Sequence, residues 1–162
     1  MSESLNDTDA LYLRRAIELS AQAGKRGNRP FGAVIVAGSG AVLGEARNDN
    51  TETGDCTRHA EVNALSAASQ AHPRAAFVGA TMYASGEPCV MCAGAIFWSG
   101  IRRVVFGIDA VSLRSFRALQ AGADDLEMSC RDVFKTTSQT FEVLGPALAD
   151  EATAPHTAFW QR

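Results

Sequence analysis

The sequence predicts an α/β layered domain built on a mixed sheet, and three observations carry that expectation. Short apolar runs alternate along the chain with Ala- and Leu-rich stretches of helical periodicity, the pattern of strands and helices laid down in separate layers. Two of the runs, at 31–36 and 41–46, are joined by a turn at Gly38-Ser39-Gly40, so at least one strand pair is antiparallel. The chain has 162 residues, 46% apolar and 20% charged, which suits one globular domain. A domain of that size buries roughly two-thirds of its unfolded surface.

Taken in order, residues 1–7 read as a frayed tail. Asp7, Thr8 and Asp9 supply N-cap chemistry for a helix that carries Leu11, Leu13, Ile17 and Leu19 and ends near Gly24. Residues 25–30, Lys-Arg-Gly-Asn-Arg-Pro, read as a solvated basic turn. The hairpin follows, then a polar loop at 48–57 and a helix from about 58 to 70. Residues 80–84 form a short strand, ended by Gly86-Glu87-Pro88, and 89–98 read as a buried helix. Residues 103–107 are the next strand and 112–120 an amphipathic helix. Two short strands are expected near 127–130 and 141–144. Residues 145–162 show little periodicity and read as a C-terminal tail to a single domain.

Lys plus Arg total 15 and Asp plus Glu 18, a formal charge of −3. Nucleic-acid-binding domains are typically basic, so a polynucleotide partner is disfavoured. No apolar run reaches the about 18 residues of a spanning helix, and the polar, acidic start is no secretion signal. Both point to the cytoplasm, where Cys56, Cys89, Cys92 and Cys130 are expected as metal ligands or buried thiols rather than disulfides.

The chemistry concentrates in His59-Ala60-Glu61 and Pro88-Cys89-Val90-Met91-Cys92. Cys89 and Cys92 are spaced so that one helical turn aims both thiolates at a single point. His59 is the natural third ligand of a zinc ion, which leaves one position of a tetrahedron open, as in catalytic sites. Cys56 is the alternative fourth ligand of a closed structural site, or a small buried hydrophobe like Cys130. If Glu61 lies in the first turn of a helix, its carboxylate shares the cavity and can shuttle a proton to and from water. HxE followed about 28 residues on by PCxxC is the mark of zinc nucleobase deaminases.

At these residues, and from about Leu11 to Leu144, the chain resembles the cytidine deaminase-like superfamily. The resemblance implies a three-layer α/β/α sandwich around a five-stranded mixed sheet. It implies one Zn²⁺ per chain on His59, Cys89 and Cys92, with Glu61 as catalytic proton shuttle. Within the superfamily, residues 30–36 and 92–98 are most similar to guanine deaminase, whereas 88–95 are shared with bacterial tRNA adenosine deaminases. Residues 121–125 resemble the guanine deaminase segment whose second acidic residue recognises the purine. That implies a catalytic or recognition role for Asp125, although Ala123 replaces the expected aromatic. Residues 156–160 resemble the aromatic C-terminus with which this branch covers its site.

The substrate contacts expected on this basis are Phe31, Asn48, Ala60, Glu87, Trp98 and Trp160. Phe31 and Trp98 are candidate walls for a flat base, or core, or in the case of Trp98 a dimer interface. Asn48 offers donor and acceptor, or caps its own loop. Glu87 acts through its backbone carbonyl or is a solvated charge. Asp125 is alternatively an exposed turn residue, Trp160 a loose terminus, and His72 and His156 surface residues. The reading is hydrolysis of guanine to xanthine and ammonia by a homodimer that binds a small nucleobase. The alternatives are tRNA adenosine editing, another heterocycle (cytosine, a triazine, a pterin, guanosine), or a non-catalytic zinc domain.

Overall fold

The computed structural model describes residues 4–161, so the tail expectation at 1–3 lies outside the described residues. The first helix, α1 (Asp7–Lys25), starts earlier than its apolar pattern suggested. Asn6 is the N-cap: its Oδ1 accepts from the Asp9 amide at 2.8 Å. Asp9 is thereby freed for a different role. It is buried and pairs with Arg103 Nη1 and Nη2 at 2.8 and 2.9 Å, and Tyr83 Oη donates to it at 2.8 Å.

The expected hairpin is present as β1 (Gly32–Val36) and β2 (Val42–Arg47). The loop after it contains a short helix, α2 (Asn50–Thr53). Asn28 holds it in place by accepting from the Thr51 and Glu52 amides and donating to Glu52 Oε1 at 2.8 Å. The 25–30 turn is therefore not solvated throughout, because Asn28 and Pro30 are buried. Next come α3 (Ala60–Ala71), a 3-10 turn at Arg74–Phe77, β3 (Thr81–Gly86), α4 (Val90–Ser99), β4 (Arg103–Ile108) and α5 (Ala110–Arg117).

Two further expectations fail beyond that point. Residues 127–129 form no strand. Ser129 caps α6 (Cys130–Phe134), its Oγ accepting from the Asp132 amide at 3.1 Å. The tail is not irregular either: after β5 (Glu142–Leu144) it forms α7 (Ala149–Trp160), with Pro155 inside it. A mid-helix proline removes one hydrogen-bond donor and reads as a breaker. The helix is seated on the sheet by Ala152, which packs directly against Gly107 of β4.

The sheet order is β2-β1-β3-β4-β5. β1 is antiparallel to β2 and β3, while β3–β4 and β4–β5 are parallel. The sandwich is therefore the mixed α/β/α arrangement expected. Alternation along the strands divides the core. Ala33, Ile35, Met82, Ala84, Val104 and Phe106 pack on α3, α4 and α6. Val34, Val36, Tyr83 and Val105 pack on α1, α5 and α7. Each large aliphatic buried this way contributes about 1.5–3 kcal/mol. Gly32 admits α1 against β1, because a Cβ there would run into the Ala16 carbonyl. Among the described residues, no helix is long and apolar enough to cross a membrane.

Candidate active site

One end of the sheet carries the chemistry. His59 is the N-cap residue of α3 and Cys89 that of α4, both with extended backbone and neither side chain bonding back to its own helix. Both are therefore free to point across the gap between the two helix N-termini. Cys92 follows in the first turn of α4. The Nδ1 atom of His59 lies 3.6 Å from each of the two Sγ atoms. All three ligand atoms lie within 4.8 Å of one another. Tetrahedral zinc with N and S ligands at about 2.05 and 2.3 Å puts N and S about 3.6 Å apart. The residues present thus fit zinc without rearrangement.

Glu61, in the first turn of α3, is only 4% exposed. Its Oε2 accepts from the Cys92 thiol at 3.4 Å. Burial pushes its carboxyl up to about 7. In the protein alone, the thiol of Cys92 stabilises the Cys89 thiolate, which falls to about 4, and the Cys92 thiol rises well above its usual range for the same reason. The His59 imidazole is raised by its contact with Cys89. An imidazole and two cysteine sulfurs converging on one point form a donor set suited to a divalent cation such as zinc.

The other expected residues separate into groups. Ala60 is buried between His59 and Glu61. Asn48 is 1% exposed; its amide donates to the Phe31 carbonyl at 3.0 Å and its Oδ1 accepts from the Asn50 amide at 3.1 Å. Phe31 is half-buried against Gly86, where an added Cβ would sit 2.8 Å from the ring. The Glu87 carboxylate is not solvated. It accepts from the Ala110 amide at 2.7 Å and the Cys130 amide at 3.2 Å, joining the starts of α5 and α6 beside Cys89.

Asp125 is no free turn residue, because its Oδ2 lies 2.9 Å from Arg117 Nε. Trp160 is not loose: its indole donates to His156 Nδ1 at 3.3 Å. Trp98 is 73% exposed and about 9 Å along α4 from Cys92. It borders a surface groove with Gly94, Phe97, Val133 and Phe134. Cys56 is exposed rather than buried, and Cys130 is buried as expected.

Sequence reasoning missed Arg117 and His156. His156 is wholly buried, not at the surface, with its ring 5.1 Å from Phe31 and 5.7 Å from Phe116. Arg117 is half-buried and feels the charges of Asp125 and of Cys89. The available signal was the basic pair Arg114 and Arg117 on one face of the amphipathic helix that precedes Asp125.

Residues 6–108 match the cytidine and deoxycytidylate deaminase zinc-binding region. Over 159 residues the chain is 40% identical to a probable cytosine deaminase of Schizosaccharomyces pombe, covering 98% of this chain and 96% of that one. Over 157 residues it is 32% identical to a tRNA-specific adenosine deaminase of Haemophilus influenzae, covering 97% and 86%. Among solved structures, a guanine deaminase from Bacillus subtilis superposes with a TM-score of 0.59 at 28% identity, covering 94% of each chain.

Proposed function

The chain belongs to the cytidine and deoxycytidylate deaminase zinc-binding family, and from that premise we propose that it is a hydrolytic deaminase of a free nucleobase, with guanine as its substrate. The observation that carries the small-base reading is the position of α7. Its buried His156 packs on Phe31, and Phe31 packs on Gly86 at the end of β3, three residues before Cys89. A helix seated there encloses a base and leaves little room for a polynucleotide. Asp125, half-buried beside Arg117, is the acceptor for guanine's N–H donors.

In this reading His59, Cys89 and Cys92 would hold zinc, which when bound would lower the pKa of water to about 7 and offset the negative charge that develops on the attacking oxygen. Glu61 Oε2 takes the proton from the attacking water. It passes that proton to the ring nitrogen, then takes the second proton from the newly added hydroxyl and delivers it to the departing amine, so that guanine and water become xanthine and ammonia. Asn48, the Ala60 amide and the Glu87 carbonyl orient the base, with Phe31 against its face. The chain works as a homodimer in the cytoplasm, with the groove beside Trp98 as the contact between copies. Cytosine is the second reading, favoured by the 40% identity to a probable cytosine deaminase over nearly the whole chain.

The test is ammonia release by zinc-loaded protein from guanine, cytosine, adenine, guanosine, cytidine and ammeline, with Glu61→Gln as the blank. Release from guanine that drops about 10²- to 10⁴-fold in the variant is expected. Preference for cytosine would install the second reading. Silence on every base, with tRNA retarded at low salt, would refute both.

A further inference from the structure

We propose that the Glu87 side chain is a positioning residue: its carboxylate ties both ends of the segment 110–130 to the turn that carries Cys89, and so sets one wall of the crevice in which a base binds. The proposal rests on the free-base reading above and adds to it a residue that acts through the placement of others.

The tie is built at two helix starts. An α-helix leaves its first amides without partners inside the helix. In α5 the Asp109 side chain accepts from the Ser112 amide at 2.7 Å, and in α6 the Ser129 side chain accepts from the Asp132 amide at 3.1 Å. Each cap covers the third amide of its helix and leaves the first, that of Ala110 in α5 and of Cys130 in α6. Glu87 accepts from both: Oε2 from Ala110 at 2.7 Å and Oε1 from Cys130 at 3.2 Å. Its own amide donates to the Ile108 carbonyl at 2.8 Å, which fixes its backbone on the end of β4. A carboxylate offers acceptors on two separate atoms, whereas an amide side chain offers one acceptor atom and one donor. The pair of N–H donors therefore asks for the acid.

What the tie holds lies beside the metal ligands. Leu113, one turn into α5 from Ala110, is buried, and its Cδ1 and the Phe31 ring lie 3.2 and 2.8 Å from where a Cβ on Gly86 would sit. Gly86 is the last residue of β3, and Cys89 follows three residues later. Leu113 and Phe31 thus cover the strand end from which the Cys89 turn departs. At the far end of the segment, the Arg117–Asp125 pair at 2.9 Å joins residues 110–130 to one another, and Leu119, Leu126 and Met128 between α5 and α6 are exposed. Releasing Glu87 lets α5 shift, and with it Leu113 and the Phe31 ring it packs beside. His59, Cys89 and Cys92 stay where the starts of α3 and α4 put them. The loss should therefore fall on base binding and not on metal binding or proton transfer.

The experiment breaks the tie from either side in zinc-loaded protein. Glu87→Gln keeps the shape of the side chain and removes one acceptor. Ala110→Pro removes the α5 donor instead: proline suits the first position of a helix, and Asp109 already has the extended backbone a following proline requires, at φ −78° and ψ 163°. Each variant should raise KM for the base that the wild type deaminates about tenfold, with kcat within about threefold and zinc content unchanged. Because both variants cut one contact, the double variant should stay within about threefold of the worse single one. Effects that multiply to about 100-fold, a fall in kcat at constant KM, or loss of zinc would each overturn the proposal. A wild type silent on all bases would sink the substrate assignment separately, and hydrogen exchange then decides for Glu87. Exchange over 110–130 that quickens about tenfold in both variants while 90–99 stays as in the wild type upholds the tie. Exchange that is unchanged over 110–130, or raised equally throughout the chain, overturns it.

Discussion

Acidification tests how α7 is held. His156 is wholly buried and its pKa sits at about 4, held down first by burial and then by Arg117. In the unfolded chain it returns to about 6.5. Between those values the unfolded state binds a proton that the folded state refuses. The associated stability is therefore intact above about pH 6.5, falls as pH drops through the window and levels off below about 4. At pH 5 the two pKa values give a roughly 30-fold tilt toward the unfolded chain, about 2 kcal/mol, against about 0.2 kcal/mol at pH 7. His156→Phe removes this loss but shares every other titrating group, so the gap between the two proteins isolates it. Urea midpoints at pH 7, 6 and 5 should show the variant gaining about 2 kcal/mol on the wild type across that range. A gap constant to within about 0.5 kcal/mol would refute a buried neutral His156.

Other consequences follow from the same geometry. Asp9→Ala leaves Arg103 with Glu142, at 2.9 Å, as its remaining carboxylate partner, and urea denaturation should show a loss of about 3 kcal/mol. Arg103 holds the Asp9 carboxyl below the usual range, so this contribution is complete above about pH 4 and disappears as pH falls through the lower folded value. Gly107→Ala would set a Cβ 2.6 Å from both the Ala152 Cβ and the Ser85 carbonyl oxygen, levering α7 from the sheet at about 1–3 kcal/mol. The same variant should raise KM, because α7 holds Phe31 in place through His156. Chelation of zinc should lower Tm in a metal-concentration-dependent way. Cys92→Ala should hold less than one zinc per chain by atomic absorption.

His59, Glu61, Cys89 and Cys92 were legible in the sequence because each spacing is local. Two ligands are N-caps, the other two residues sit in first turns, and periodicity alone locates those turns. The strands were legible for the same reason, since β1, β3 and β4 are buried on both faces and read as continuous apolar runs. What failed was decided by tertiary contact. The five residues of α6 are too few to show a period, and their start depends on Ser129 and on Glu87, 43 positions away from Cys130. Pro155 disguised α7, whose seat exists only because Gly107 lacks a side chain. With α7 unseen, His156 looked like a surface residue, and the exposure of Trp98 could not be told from burial in a helix of mean apolar character.

The position of the site follows from topology. After β3 the chain turns to α4, on the face shared with α3 and α6; after β4 it turns to α5, on the face shared with α1 and α7. Adjacent parallel strands whose connections leave to opposite faces open a crevice beyond their carboxyl ends. The residues that follow those ends are Glu87-Pro88-Cys89 and Asp109-Ala110. The Glu87 carboxylate spans the gap by accepting from the Ala110 amide, which fixes α5 relative to Cys89. Because β1 runs antiparallel to β3, its start at Phe31 arrives at the same end, as does the exit of β2 into Asn48. Four chain segments thus meet at one crevice without any long loop. The metal triad lies on the α3–α4 side and Arg117 on the α5–α7 side, so a substrate held between them would meet both layers. Reaction chemistry and base selection are therefore separable. Substitutions on the α3–α4 side should abolish turnover of every base, and those on the α5–α7 side should change which base is turned over.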